Sequence, residues 1–354
     1  MNDETTFILG AGFSCCSKLP LQKDFSSLLF SKEFNTDLDC VITSALEHFL
    51  NDVFGWKKGN EIPSLEDIFT CIDLSLASEH HLGIKYTPKM LRALQRMAIY
   101  RIFSVLNYRF SYSTDIKKLL EYFLNKGKCN FVVLNWDIVL EKHLTQIGNF
   151  FINYGCPCQD WNDMNLIGEE KEISVSKMHG SSNWVYCDNC KTLFYDLYDK
   201  LALHIKAGLV KSDFRLFDES FTDKKFDDSV SIQPFSRSCK ICRNLLSSHI
   251  ATFSYRKSFR TTAYPSIWYN AEKTLANSNH WIFVGYSLPE ADYELKHLLK
   301  SAQIRLKHIK DLKKEIEVIA KNDLNTKNKF GKFFGDNNIT FFNDGLSGYI
   351  QDKV

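Results

Sequence analysis

Short apolar runs that break abruptly into polar or glycine-rich tips recur along this chain. Thr5–Leu9 runs into Gly10-Ala11-Gly12-Phe13-Ser14, Phe131–Leu134 into Asn135-Trp136-Asp137, and Glu172–Met178 into His179-Gly180. His280–Val284 runs into Gly285-Tyr286-Ser287, and Ile316–Ala320 into Lys321-Asn322-Asp323. Runs this short, rich in β-branched and aromatic residues, predict buried strands. A last run, Ile339–Phe342, stops at the turn signal Asn343-Asp344-Gly345 and predicts a closing edge strand. Between the first tip and about residue 113 the spacing is helical instead: Leu38, Ile42, Leu46, Phe49 and Leu50 make one stripe, and Leu91, Leu94, Met97, Ala98, Ile102, Val105 and Leu106 another. These stripes are either the core of an inserted helical module or, in part, an oligomer face.

Strands alternating with helices predict an α/β fold, with a Rossmann-like, mostly parallel sheet, an inserted helical module and a small metal-binding module. The expected division is 1–26, 114–186 and 246–354 for the sheet domain, 27–113 for the helical insertion, and 187–245 for the metal module. Ligands of open α/β sheets bind beyond the carboxyl ends of the strands, so the polar tips are expected to share one site.

Each tip has a functional and a plainer reading. Gly10 and Gly12 permit close backbone approach, with free N–H groups facing a pyrophosphate, or they make only a tight turn; Cys15 stands where a third glycine of the dinucleotide fingerprint would be. Asn135 and Asp137 are two apart, so an extended tip points both to one side. The alternative is an Asn/Asp turn or a helix N-cap for Ile138–Glu141. His179 has the intrinsic pKa of a general base near neutrality, or it is a structural histidine.

Cys187-Asp188-Asn189-Cys190 and Cys239-Lys240-Ile241-Cys242 are two C-x-x-C pairs. Two such knuckles complete a tetrahedral zinc site, and four thiolates leave no open position, so the metal would be structural. The stretch between them, including Asp223–Asp228, is expected to be an insertion or a looped-out helix. Cys156 and Cys158 are possible competing ligands, and four unmetallated thiols are the alternative. An odd total of 11 cysteines fits thiols and metal ligands better than a disulfide framework.

At 354 residues and a formal net charge of +2, the chain is long enough for one large domain with insertions, and it lacks the basic balance of a nucleic-acid-binding surface. No sequence-specific nucleic-acid binding is expected, and the Lys307–Lys314 stretch reads as a solvated helix face. No apolar run approaches the roughly 20 residues needed to span a bilayer. The start of the chain carries acidic residues rather than a signal peptide, so a cytoplasmic protein without membrane association is expected.

In order and identity these motifs resemble the sirtuin superfamily. Gly10 to Ser14 with Pro20 in register, Leu134 to Asp137, His179-Gly180, and Gly285 to Ser287 match its Gly-Ala-Gly-x-Ser, Gln-Asn-x-Asp, His-Gly and Gly-Thr-Ser motifs. The resemblance is nearest to divergent bacterial sirtuin-like domains. It implies NAD⁺ as substrate, Asn135 and His179 as catalytic residues, and Gly10, Ala11, Gly12, Phe13, Ser14, Asp137, Gly285, Ser287 and Asn322 as nucleotide contacts. It further implies a zinc site at Cys187, Cys190, Cys239 and Cys242, a homo-oligomer, and antiphage NAD⁺ depletion with a HerA-type ATPase as a possible partner. Leu134 replaces the usual Gln, and Leu21-Gln22-Lys23 replaces Asp-Phe-Arg. These departures favour an NAD⁺ glycohydrolase over a protein-lysine deacylase; a silent NAD⁺- or ADP-ribose-binding subunit is the third reading.

Overall fold

The computed structural model describes residues 4–31, 33–162, 171–230, 238–252, 263–290, 292–310, 314–321, 323–335 and 338–354. Its strands are β1 (Glu4–Leu9), β2 (Lys128–Val133), β3 (Phe150–Asn153), β4 (Gln159–Asp160), β5 (Lys171–Lys177), β6 (Gly180–Cys187), β7 (Leu193–Tyr195), β8 (Leu246–Ile250), β9 (His280–Val284), β10 (Glu315–Ile319) and β11 (Ile339–Phe342). The helices are α1 (Ala11–Cys15), α2 (Gln22–Leu28), α3 (Asp37–Phe54), α4 (Leu65–Ala77), α5 (Pro88–Arg109), α6 (Thr114–Lys126) and α7 (Val139–Ile147). They continue with α8 (Leu203–Lys206), α9 (Lys211–Phe214), α10 (Asp223–Ser229), α11 (Ala263–Asn277), α12 (Tyr293–Lys310), α13 (Leu324–Phe334) and α14 (Gly345–Lys353).

Seven strands form a wholly parallel sheet in the order β11-β10-β9-β1-β2-β5-β3. The apolar runs are needed because the central strands are covered on both faces: Phe7, Ile8 and Leu9 of β1 and Trp281, Ile282 and Phe283 of β9 are all buried. From β1 the chain steps one way to β2 and later the other way from β9 to β10. Right-handed crossovers therefore put α6 and α7 on one face and α12 and α13 on the other, and the order reverses between β1 and β9. As expected, Ile339–Phe342 closes one edge.

Residues 22–109 carry α2 to α5, and both apolar stripes are buried there. Helices α3 to α5 start where the sequence supplies caps: Thr36 accepts from the amide of Asp39, Ser64 from that of Asp67, and Thr87 from that of Met90, with Pro88 at the first helical position. Trp56 and Phe69 are buried packing residues.

A second sheet runs β4-β7-β6-β8, with β6 antiparallel to both neighbours. It draws its strands from 159–160, 180–187, 193–195 and 246–250. Between the knuckles the described chain forms β7 and the short helices α8, α9 and α10, with Asp223–Asp228 inside α10. Its helices α8 and α9 pack on α5, and α9 and α10 pack on α3. Arg96 Nε donates to Asp213 Oδ2 at 2.9 Å across that junction.

In the middle of β10, Glu317 accepts from Tyr349 Oη of α14 at 2.6 Å and lies 3.4 Å from Lys353 Nζ and 3.7 Å from His280 Nε2. Burial pushes its carboxyl up, but His280, Tyr349 and Lys353 outweigh that and hold it at about 2. A carboxylate whose pKa is depressed on folding adds stability above its unfolded value and loses it as pH falls towards the folded one. Glu317→Gln should therefore lower stability at neutral pH by roughly 1–3 kcal/mol. In urea unfolding, the gap to wild type should shrink as pH drops from about 4.5 towards about 2; a gap independent of pH would contradict this.

Candidate functional site

The polar tips begin at one height because the strands that carry them finish in one row. Leu9 pairs with Val133 and Val284, Val133 with Lys177, and Val284 with Ile319. The ladder continues one rung beyond the strands, with Leu134 N–H donating to Leu9, Met178 to Val133, Gly10 to Val284 and Gly285 to Ile319, each at 3.0 Å. Neighbouring strands lie about 4.8 Å apart, so the tips of β9, β1, β2 and β5 crowd along one rim.

At the switch between β1 and β9 two turns meet backbone to backbone. Gly12 N–H donates to Gly285 O at 2.9 Å. A Cβ on Gly10 would stand 2.6 Å from Gly285 O, and one on Gly12 would stand 2.6 Å from Gly285 Cα. Gly285 has φ +62°, and its Cβ would meet Gly12 Cα at 2.3 Å. All three positions therefore need glycine. The amides of Gly10, Gly12 and Phe13 already donate to Val284, Gly285 and Gly10. The expectation of free amides at both glycines is corrected: the close approach they permit is first of all to another loop.

Ser14 joins the tips of β1 and β2. Its buried hydroxyl donates to Asp137 Oδ2 at 2.7 Å and accepts from Asn135 Nδ2 at 2.9 Å, while the same amide reaches Gly10 O at 2.9 Å. Asn135 and Asp137 thus face one side, as their spacing predicts, and Trp136 between them turns its Nε1 to Ala251 O at 3.1 Å. The plainer reading holds as well, as a turn rather than a cap: Asp137 Oδ1 accepts from Val139 N–H at 3.1 Å, while the N-cap of α7 is Ile138 and has no side-chain cap bond. The two carboxylate oxygens serve the two roles.

His179 sits beside this trio. Its Nδ1 is 3.0 Å from Leu134 O, and a carbonyl only accepts, so Nδ1 carries the proton and Nε2 is the basic nitrogen. Gly180 follows with φ +81°, and a Cβ there would lie 2.2 Å from His249 O, so β8 runs hard against the turn. Of the remaining expected contacts, Ser287 is exposed on the β9 tip, Ala11 is half-buried, and Phe13 turns its ring into the core. Asn322 lies outside the described residues.

A cavity of about 30 Å³ opens beside Asp137, bounded by Leu19, Phe103 and Phe110 and by Ser182, Lys142 and Lys206. That volume suits a water rather than an aromatic ring. The buried Lys206 pairs with Asp196 at 3.2 Å and Asp199 at 2.9 Å, and Lys142 also meets Asp199 at 2.9 Å. Sequence reasoning missed these residues and also Lys177, whose only signal was a lysine directly after the apolar and small residues Ile173–Ser176 of its strand.

The four knuckle sulfurs lie within 4.8 Å of one another, with Cys187 and Cys242 3.3 Å apart and Cys190 and Cys239 3.6 Å apart. Zn–S bonds of about 2.3 Å in a tetrahedron need S···S separations near 3.8 Å, so the cluster fits zinc. The two knuckles repeat one backbone pattern. Lys191 N–H donates to Cys187 O and Arg243 N–H to Cys239 O, while Cys187 N–H meets Thr192 O and Cys239 N–H meets Asn244 O. Lys191 and Arg243 share a left-handed φ of 61° and 64°. Cys156 and Cys158 are not in the cluster; they pack against the main core.

No protein-family model matches the sequence, and no curated protein does. Among solved structures, the chain is similar to a Sir2 homologue in complex with NAD, at 15% identity over 99% of this chain and 88% of that chain, with a TM-score of 0.45. It is similar to a triple mutant of a Sir2 homologue in complex with 2′-O-acetyl ADP-ribose, at 14% identity, 99% and 90% coverage and a TM-score of 0.44. A Sir2 protein bound to a propionylated peptide gives 12% identity, 99% and 92% coverage and a TM-score of 0.46. Among the described residues, no helix is long and apolar enough to cross a membrane.

Purified protein should carry about one zinc per chain, as four thiolates in a closed site require. Cys239→Ser should lower both the zinc content and the thermal midpoint; protein that is fully folded and free of zinc would contradict the assignment.

Proposed function

We propose that this chain is a sirtuin-like NAD⁺ glycohydrolase that releases nicotinamide and ADP-ribose, with water as acceptor. The observation that carries the reading is the convergence of Ser14, Asn135, Asp137 and His179 on the carboxyl-end rim, next to the β1–β9 switch point. In NAD⁺ the nicotinamide is cationic and departs neutral, so no general acid is needed at the leaving group. The C1′–N bond breaks with its electron pair going to the ring, a water oxygen bonds to C1′, and the water's proton leaves to a base. The protein's work is to hold the ribose and pyrophosphate, stabilise the oxocarbenium-like transition state and direct the water.

In this reading Asn135 orients the ribose and the water, and Asp137 holds the nicotinamide amide. His179 accepts the proton at Nε2. Gly10 to Ser14, Gly285 and Ser287 contact the phosphate side, and Asn322 lies towards the adenosine. Zinc at Cys187, Cys190, Cys239 and Cys242 holds the small module together. The motif resemblance extends the reading to a cytoplasmic homo-oligomer acting in antiphage NAD⁺ depletion, with a HerA-type ATPase as the triggering partner.

A second reading, NAD⁺-dependent lysine deacylation, is favoured by one feature: β6 leaves directly from the His179-Gly180 turn, so the zinc module borders the same rim. Leu21-Gln22-Lys23 in place of Asp-Phe-Arg counts against it.

Incubating the protein with NAD⁺, alone and with a HerA-type ATPase, should release nicotinamide. Asn135→Ala and His179→Ala should each reduce the rate by about 10²-fold or more. Absence of release under every condition, or undiminished release from both variants, would defeat the proposal; acyl-ADP-ribose formed from an acetylated peptide would favour the deacylase.

A further inference from the structure

Directly behind the Asn135–Asp137 tip, two charges occupy positions where the fold would accept apolar residues. Lys177 ends β5 with a side chain that is 0% exposed, and Glu141, in the first turn of α7, is 2% exposed; their charged atoms are 3.5 Å apart. Such a pair gives up its hydration, and replacing it with apolar residues of similar volume is often neutral or stabilising. Nor is this one tuned for stability. Burial pushes the Glu141 carboxyl up against the pull of Lys177, and its Oε2 has no partner among the described residues.

What a hydrocarbon pair would lack is a donor aimed at the tip. Lys177 Nζ donates to the backbone carbonyl of Asp137. Asp137 Oδ1 already takes Val139 N–H, and Oδ2 takes the Ser14 hydroxyl. All three oxygens of Asp137 are thereby held, and the residue has no freedom to turn. Glu141 anchors the lysine in its turn: its Oε1 accepts from Tyr154 Oη at 3.4 Å, and that hydroxyl accepts from Asn183 Nδ2 of β6 at 3.4 Å. The tip of β2 is thus connected to α7, to the end of β3 and to the small sheet through one buried line of polar groups.

We infer that Lys177, seated against Glu141, is a positioning residue that fixes the Asn135–Asp137 tip for the reaction at the rim. Which reaction it serves rests on the glycohydrolase reading. The holding of the tip does not. Lys177 touches neither substrate nor reacting atoms; it acts through Asp137.

The test is the double variant Lys177→Met with Glu141→Leu, which removes both charges at nearly constant volume. Its thermal midpoint is expected to stay near or above that of wild type. Hydrogen exchange in the 134–139 peptide should be about tenfold faster, with β1 and β10 unchanged. Its kcat for nicotinamide release should fall about tenfold or more, while KM shifts less than about threefold, as misplacement of a catalytic group predicts. Wild-type exchange at 134–139 together with wild-type kcat would overturn the inference and leave the pair a packing feature. If wild type releases no nicotinamide, the glycohydrolase reading fails while the exchange comparison still decides the positioning role, unchanged exchange overturning it. Should the double variant not fold, Lys177→Met alone is read by native-state exchange in low denaturant. Loss of protection concentrated at 134–139 supports positioning, and loss spread evenly over the sheet overturns it.

Discussion

The contact on which the rest depends is made of backbone alone: the Gly10–Gly12 turn pressed onto Gly285. No side chain fits there, since a Cβ on any of the three glycines would lie within 2.6 Å of the opposing loop. The contact draws the tips of β1 and β9 together at the point where strand order reverses. It also presents Ser14, one turn into α1, to the tip of β2. Without it Ser14 would have no fixed relation to Asn135 and Asp137, and the rim would be a row of separate loops.

From that contact the site extends by short polar links. Ser14 joins Asn135 to Asp137, Leu134 holds the His179 ring by its carbonyl, and β6 leaves from Gly180 into the small sheet that carries the cysteine knuckles. The two sheets are therefore joined at the residue that offers the basic nitrogen. The repeated hairpin geometry of the knuckles gives a small cluster that includes Trp161, Val185 and Phe194 a rigid anchor. Packing of α8, α9 and α10 on the helical insertion closes the module against the rest of the chain.

Much of this was legible in the sequence, for physical reasons. Strands of a parallel sheet are buried on both faces, so Thr5–Leu9, Phe131–Leu134 and His280–Val284 stand out as apolar runs with polar ends. The knuckles announce themselves because thiolate pairs at that spacing suit zinc. What stayed hidden depends on partners distant in the chain. Gly12 reads as a ligand-facing turn until Gly285 is seen to take its amide. Asp137 offered two readings that exclude one another on paper, yet its two oxygens satisfy both. Lys177 and Glu141 look like surface charges in any sequence, since a buried ion pair differs from a solvated one only in what surrounds it. The buried Lys206–Asp196 pair is hidden for the same reason.

The central claim is that these tips form the floor of one nucleotide site. A crystal structure of the protein with ADP-ribose tests it most directly. The account predicts the pyrophosphate against the Gly10–Ser14 turn and Ser287, with the ribose in hydrogen-bond reach of Asn135 and His179. ADP-ribose bound on another face, or absent from the rim at saturating concentration, would contradict it.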